Sequence, residues 1–254
     1  MSEPTAKEGE RELVQAVPID ARYWLLMIVA TTFGEIFGNL VSRDFGLGYE
    51  TGSTLLIGLF VVLLGVAVAG RLHDQRLYWG LILSGNVAGT DVADLTTRTL
   101  GLGNVNGSLV VLAVLVVILL AWSAIRRRSE ARAIQFADVL YWLAILSSST
   151  FGTTFGDYIS SDTPLGSGGG SILLLAILIA TAALVRFTRV NRVVCYWLAL
   201  VVIHPIGATI GNYISKPEGW NLGNVWTSVG LALLFGLIYA SARLARSSGT
   251  ARPA

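Results

Sequence analysis

The chain has 254 residues, of which 54% are hydrophobic and only 13% charged, with a formal net charge of +2. Soluble domains carry about 25% charged residues, so this chain is short of the charge needed to cover a water-facing surface. One cysteine, Cys195, and two histidines, His73 and His204, exclude an intramolecular disulfide framework and speak against a zinc or copper site.

Read from the N-terminus, residues 1–21 form a polar tail without the short apolar core of a signal peptide. Eight apolar stretches follow, at about 22–42, 52–70, 77–97, 108–125, 138–160, 171–187, 193–215 and 226–243. At 1.5 Å per residue each reaches across a bilayer core of about 30 Å. The expected fold is all-α, an eight-span transmembrane bundle. Spans 1–4 form a first half (22–125), 126–137 a basic linker, spans 5–8 a second half (138–245) and 246–254 a tail. Fifteen of the eighteen Lys and Arg residues fall in the tails and in the loops after spans 2, 4 and 6; the other side has Arg43, Arg98 and Lys216. The positive-inside rule then expects both termini in the cytoplasm.

The odd spans repeat one another. Each opens on a Tyr-Trp pair (Tyr23-Trp24, Tyr78-Trp79, Tyr141-Trp142, Tyr196-Trp197) and has a glycine ten residues after the tryptophan: Gly34, Gly89, Gly152 and Gly207. From those glycines the segments read GEIFGNLVS, GTDVADLTT, GTTFGDYIS and GATIGNYIS. An apolar even span follows each, with Ser53, Ser108 and Ser171 near its start; Ser228 is the fourth equivalent if the last loop is two residues longer. All four copies point the same way, so they are parallel two-helix repeats. The run Gly166-Ser-Gly-Gly-Gly170 reads as a flexible external loop; no Lys-Ser/Thr follows it, so it is no phosphate cradle.

With the motif glycine as position zero, positions −3, +1 and +5 share a helix face. They read Thr31-Glu35-Asn39, Asn86-Thr90-Asp94, Ser149-Thr153-Asp157 and His204-Ala208-Asn212. A carboxylate at the bilayer centre costs about 2.5–3.5 kcal/mol on insertion scales, so these faces are expected to turn inward, with the even spans facing lipid. Carboxylate, amide and hydroxyl oxygens suit hard cations such as Mg²⁺, Mn²⁺, Ca²⁺, Na⁺ or a proton. The expected cation path comprises Glu35, Asn39, Thr90, Asp91, Asp94, Thr153, Asp157 and Asn212, with Glu35, Asp94 and Asp157 as candidate metal ligands. No basic residue lies within the stripes. Asp91, three residues before Asp94, is placed to share a proton with it.

Each of these residues has a plainer reading as well. Polar side chains between membrane helices also act as packing glue, and Gly34–Gly38, Gly152–Gly156 and Gly207–Gly211 are small-x3-small contacts. Trp24, Trp79, Trp142 and Trp197 read either as an interfacial belt or as a gate at the cytoplasmic mouth. His204, before Pro205, is either a packed histidine at a kink or a proton relay.

The four-copy unit, with its tryptophan and a Gly-Glu-Thr-x-x-Asp-like core, resembles a bacterial membrane family known as a repeat of unknown function, over about residues 20–245. Glu35 keeps the acid of that core, Thr154 and Thr209 the threonine, and Asp94 and Asp157 the last acid. Thr90, Thr153, Ala208, Asn39 and Asn212 depart from it. The resemblance implies a bacterial inner-membrane location and carries no activity. The expected function is transport or channelling of a small cation, with divalent metal and proton coupling both open. The alternative is a non-transporting sensor or scaffold whose stripes only pack helices. No enzyme motif, resident cofactor or nucleic-acid partner is expected; the bilayer and the cation are the expected partners.

Overall fold

A computed structural model describes residues 19–70, 74–126, 131–187 and 191–249. The tails and most of the basic cluster at 126–130 lie outside these residues, as does His73. Among the described residues there are eight long helices and no strand: α1 (Ala21–Asn39), α2 (Gly48–Gly70), α3 (Gln75–Asp94), α4 (Gly103–Arg126), α5 (Ala131–Asp162), α6 (Gly166–Phe187), α7 (Arg192–Ser215) and α8 (Gly223–Gly249). Two π-helical turns extend α1 over Leu40–Asp44 and α3 over Leu95–Thr99. Much of the expected linker is therefore the first turns of α5. The 166–170 glycine run is likewise helical, opening α6 rather than forming a loop, because Gly168 and Gly170 let that helix close on Tyr213 and Ile159.

Six of the eight helices are long and apolar enough to cross a membrane. The two that fall short, α3 and α5, belong with α1 and α7 to an inner ring in which α1 packs on α3, α3 on α5, α5 on α7 and α7 back on α1. Shielded from lipid, an inner helix can be polar where an outer one cannot. Burial follows the same division: 78% and 61% of the spanning windows of α1 and α7 are buried, against 33%, 22%, 17% and 22% for α2, α4, α6 and α8. The even helices present Leu59, Val62, Val117, Ile179 and Leu237 outward, an apolar surface suited to a lipid environment.

Each even helix packs on the odd helix of the next repeat: α2 on α3, α4 on α5, α6 on α7, and α8 on α1. The fourth unit thus closes onto the first. The motif glycines make this ring possible. Gly34 lies against Asn86, Gly89 against Ser149 and Thr150, Gly152 against His204, and Gly207 against Thr31. A Cβ there would stand 2.8, 3.0, 2.7 and 2.7 Å from backbone atoms of the next helix. Backbone cannot give way as a flexible side chain can, so only glycine permits this approach.

Candidate functional site: the axis of the inner ring

The inner ring is built in layers along its axis. At the end where the odd helices begin, Asp20, Asp74 and Asn191 cap α1, α3 and α7 by accepting backbone N–H groups of Tyr23, Arg76 and Val193. The four tyrosines of the repeat follow and point inward. Their hydroxyls meet at 2.8 Å (Tyr23–Tyr78), 2.9 Å (Tyr23–Tyr196) and 2.6 Å (Tyr141–Tyr196). Each tryptophan packs on the tyrosine of the preceding repeat: Trp79 on Tyr23, Trp142 on Tyr78, Trp197 on Tyr141 and Trp24 on Tyr196, with ring centroids 5.5–5.9 Å apart. Trp79, Trp142 and Trp197 are buried and Trp24 is half-buried. They form a pinwheel inside the bundle, in place of a belt on its lipid face. One turn further in, Met27, Ile82, Ile145 and Leu200 are completely buried and make an apolar layer.

The −3 residues come next, and here the structure departs from the sequence expectation. Thr31, Asn86, Ser149 and His204 lie in the seams between neighbouring helices, against the motif glycines. Thr31 and Asn86 donate to their own helices, at Ile28 O (3.0 Å) and Ile82 O (2.9 Å), and Ser149 donates to Asn86 O across the seam at 3.2 Å. His204 Nδ1 lies 2.7 Å from Leu200 O and 3.0 Å from Ser148 Oγ, while Nε2 is buried without a partner. At −3 the stripe therefore lies in the seams between helices. Helix crossing turns these positions off the axis.

At +1 the polar chemistry reaches the axis. Glu35 is 2% exposed. Its Oε1 accepts from Asn39 Nδ2 at 3.0 Å and its Oε2 from Thr153 Oγ1 at 2.9 Å, reaching from α1 to the non-adjacent α5. Thr90 Oγ1 lies 3.2 Å from Thr153 Oγ1 and completes this layer. No guanidinium or ammonium group bonds Glu35 among the described residues.

The +5 layer is ordered differently. Asp94 is 1% exposed and held by two arginines: Arg43 Nη2 donates to both of its oxygens at 2.9 and 2.7 Å, and Arg98 Nε donates to Oδ1 at 2.6 Å. Arg98 Nη2 also reaches Asp157 Oδ2 at 3.5 Å, and Asn212 Nδ2 donates to Asp157 Oδ1 at 2.9 Å. The side-chain oxygens of Asn39 and Asn212 are buried and accept no hydrogen bond. Asp91 and Asp94 do not form a proton-sharing pair: Asp91 turns away to lie against Gly52 of α2, while Asp94 turns to the arginines. Nor do Glu35, Asp94 and Asp157 gather as a metal site, since the described residues contain no group of three His, Cys, Asp or Glu side chains placed to hold one.

The arginines were missed by reading the stripes alone. Arg43 and Arg98 both stand nine residues after the motif glycine, one turn beyond +5, and so does Lys216 in the fourth repeat. These are the three basic residues of that side of the chain, so their shared register was a usable signal. The π-helical turns, marked by Phe45 N–H bonding Leu40 O at 2.9 Å and Leu100 N–H bonding Leu95 O at 2.8 Å, occur in the two repeats that carry arginine. An added residue in a turn re-aims the side chains within it; here Arg43 and Arg98 lie over the +5 layer.

A family model described as a repeat of unknown function (DUF347) matches residues 22–71, 77–128 and 140–191. The chain belongs to this family of tandem repeats, and it is a multi-pass membrane protein. The fourth unit, outside the matched segments, is joined to the other three by the ring of packed helices. No curated protein and no solved structure matches the chain.

Proposed function

We propose that this protein moves a small hard cation along the axis of the inner ring, and that its present form is closed at both ends. Glu35 carries the reading: a buried axial carboxylate, bonded only by neutral donors, with two unpartnered amide oxygens (Asn39 and Asn212) one turn away on adjacent helices. Charges within membrane segments are retained mainly where they do work. Amide, hydroxyl and carboxylate oxygens are the ligands a hard cation takes. Three axial acids face two directly paired arginines, with Lys216 acting on Glu35 only from a distance. This balance, and the absence of a three-acid cluster among the described residues, favour a monovalent ion or a proton over a divalent metal. The tyrosine ring with its apolar layer closes one end, and the Arg43–Asp94–Arg98–Asp157 chain closes the other. The excess of Lys and Arg in the tails and in the loops after the even spans supports a cytoplasmic tyrosine end.

The test is cation flux into proteoliposomes, screened over H⁺, Na⁺, Mg²⁺, Ca²⁺ and Mn²⁺. Glu35→Gln keeps the shape of the side chain and is expected to abolish flux while the protein still folds. Wild-type protein without flux of any of these ions would favour the second reading, a membrane scaffold or sensor. The observation behind that reading is the placement of the −3 residues in helix seams, against the motif glycines.

A further inference from the structure

Asp91 has no place in the axial path. It is fully buried, and both of its carboxyl oxygens lack a hydrogen-bond partner. It occupies position +2, whose equivalents are Ile36, Thr154 and Thr209, and it meets the start of α2 at Gly52, with Ser42 on the same glycine. Of the three junctions that hold no charge here, the one between the third and fourth repeats closes by a direct bond, whereas Ser108 bonds its own helix and Ser228 is unpartnered. In that direct bond Ser171 of α6 donates to Thr209 Oγ1 of α7 at 3.0 Å. Ser53 is the counterpart of Ser171 and Asp91 the counterpart of Thr209, yet the Ser53 hydroxyl is buried with no partner either. The Ser42 hydroxyl stands beside Asp91 and acts on it, but its proton goes to Gly38 O at 2.9 Å. Three oxygen atoms thus stand unsatisfied where a repeat-related junction is closed by a direct bond. A buried carboxylate without donors is costly until it takes a proton or a cation. The charged groups acting on Asp91 are Asp94, one turn further along α3, and Arg43, which is already bidentate on Asp94.

We propose that Asp91 and Ser53, walled by Ser42 and Gly52, form a second, off-axis site for a monovalent hard cation, a proton or Na⁺, between α2 and α3. The site is separate from Glu35, so the two ideas can fail independently.

The experiment uses the purified full-length protein in detergent and a hydrophobic carbodiimide. The O–H of a protonated carboxyl adds across one C=N bond to give an O-acylisourea, which rearranges to a stable N-acylurea with nothing lost. Peptide mass spectrometry is expected to find the adduct on Asp91, absent from Asp91→Asn and retained in Glu35→Gln. With Na⁺ as occupant, replacing choline by Na⁺ slows labelling and raises the melting temperature, and Asp91→Asn loses both responses. With a proton as occupant, labelling falls as pH rises and Na⁺ changes nothing. If Asp91→Asn does not fold, Ser53→Ala, which keeps the acid and removes the second oxygen of the proposed site, is read by the same responses. An unlabelled Asp91 at every pH with melting indifferent to Na⁺ would overturn the proposal. So would loss of Asp91 labelling in Glu35→Gln, which would make the residue part of the axial path.

Discussion

At the tyrosine end of the inner ring, the four repeats each supply the same pair of residues, and every pair makes the same contact with the pair before it. At the other end the same helices supply Asn39, Asp94, Asp157 and Asn212, and the contacts differ from repeat to repeat. The first end needs four equal parts because it closes a circle, and any odd member would leave a gap. The second cannot use four equal parts, since four carboxylates at one level would repel one another. Two amides, two acids and two arginines from the neighbouring turns resolve that conflict. Identity among the repeats therefore marks the frame, and difference marks the chemistry.

The comparison breaks most sharply at Arg98. It bonds Asp94 at 2.6 Å and reaches Asp157 at 3.5 Å, so Arg98→Ala leaves two buried acids short of a partner. Stranding a buried charge costs about 3–5 kcal/mol. Because Arg43 still holds Asp94 and Arg98 is partly exposed, about 3 kcal/mol is expected in thermal or denaturant unfolding. Adding Asp94→Asn is expected to restore part of that loss, and a double-mutant cycle measures how much. Additive losses would mean that the arginine end is not one network.

Gly152→Ala probes the frame. The new methyl group would collide with His204, and His204 C stands only 2.7 Å from its position. Overpacking of this kind costs about 1–3 kcal/mol, and about 2 kcal/mol is expected in the same unfolding assay. The matching Gly34→Ala should cost a similar amount, since Asn86 C is 2.8 Å away. Strongly unequal losses would show that the ring is less fourfold in energy than in shape.

Much of this frame was legible in the chain. The recurring Tyr-Trp, the glycine ten residues on and the alternation of polar and apolar spans were enough to expect an inner ring of odd helices and an outer set of even ones. The orientation of single side chains was not. Positions −3, +1 and +5 share a face on an isolated helix, yet helix crossing sends Asn86 and His204 into seams and Glu35 to the axis. Asp91 and Asp94 are neighbours in sequence and face different helices, a division made by α2 and by the π-helical turn that brings in Arg43. Tryptophans near a helix start can be a belt or an internal pinwheel, and only the packing of the next repeat decides.

The smallest expected effect sharpens the comparison at the tyrosine end. Tyr196 links Tyr23 at 2.9 Å and Tyr141 at 2.6 Å, so Tyr196→Phe removes two of the three described hydroxyl contacts and keeps the ring that packs on Trp24. A hydrogen bond contributes about 1 kcal/mol net, and the hydroxyls left behind on Tyr23 and Tyr141 can find other partners, so a loss of about 1 kcal/mol is expected. If this layer closes the conduction path, the same variant should also raise basal cation leak in proteoliposomes, although no charge has changed. A stability loss without added leak would place the closure one turn deeper, in the apolar layer of Met27, Ile82, Ile145 and Leu200. Ile145→Ala is then the variant expected to leak, because it opens that layer while the tyrosine ring stays whole.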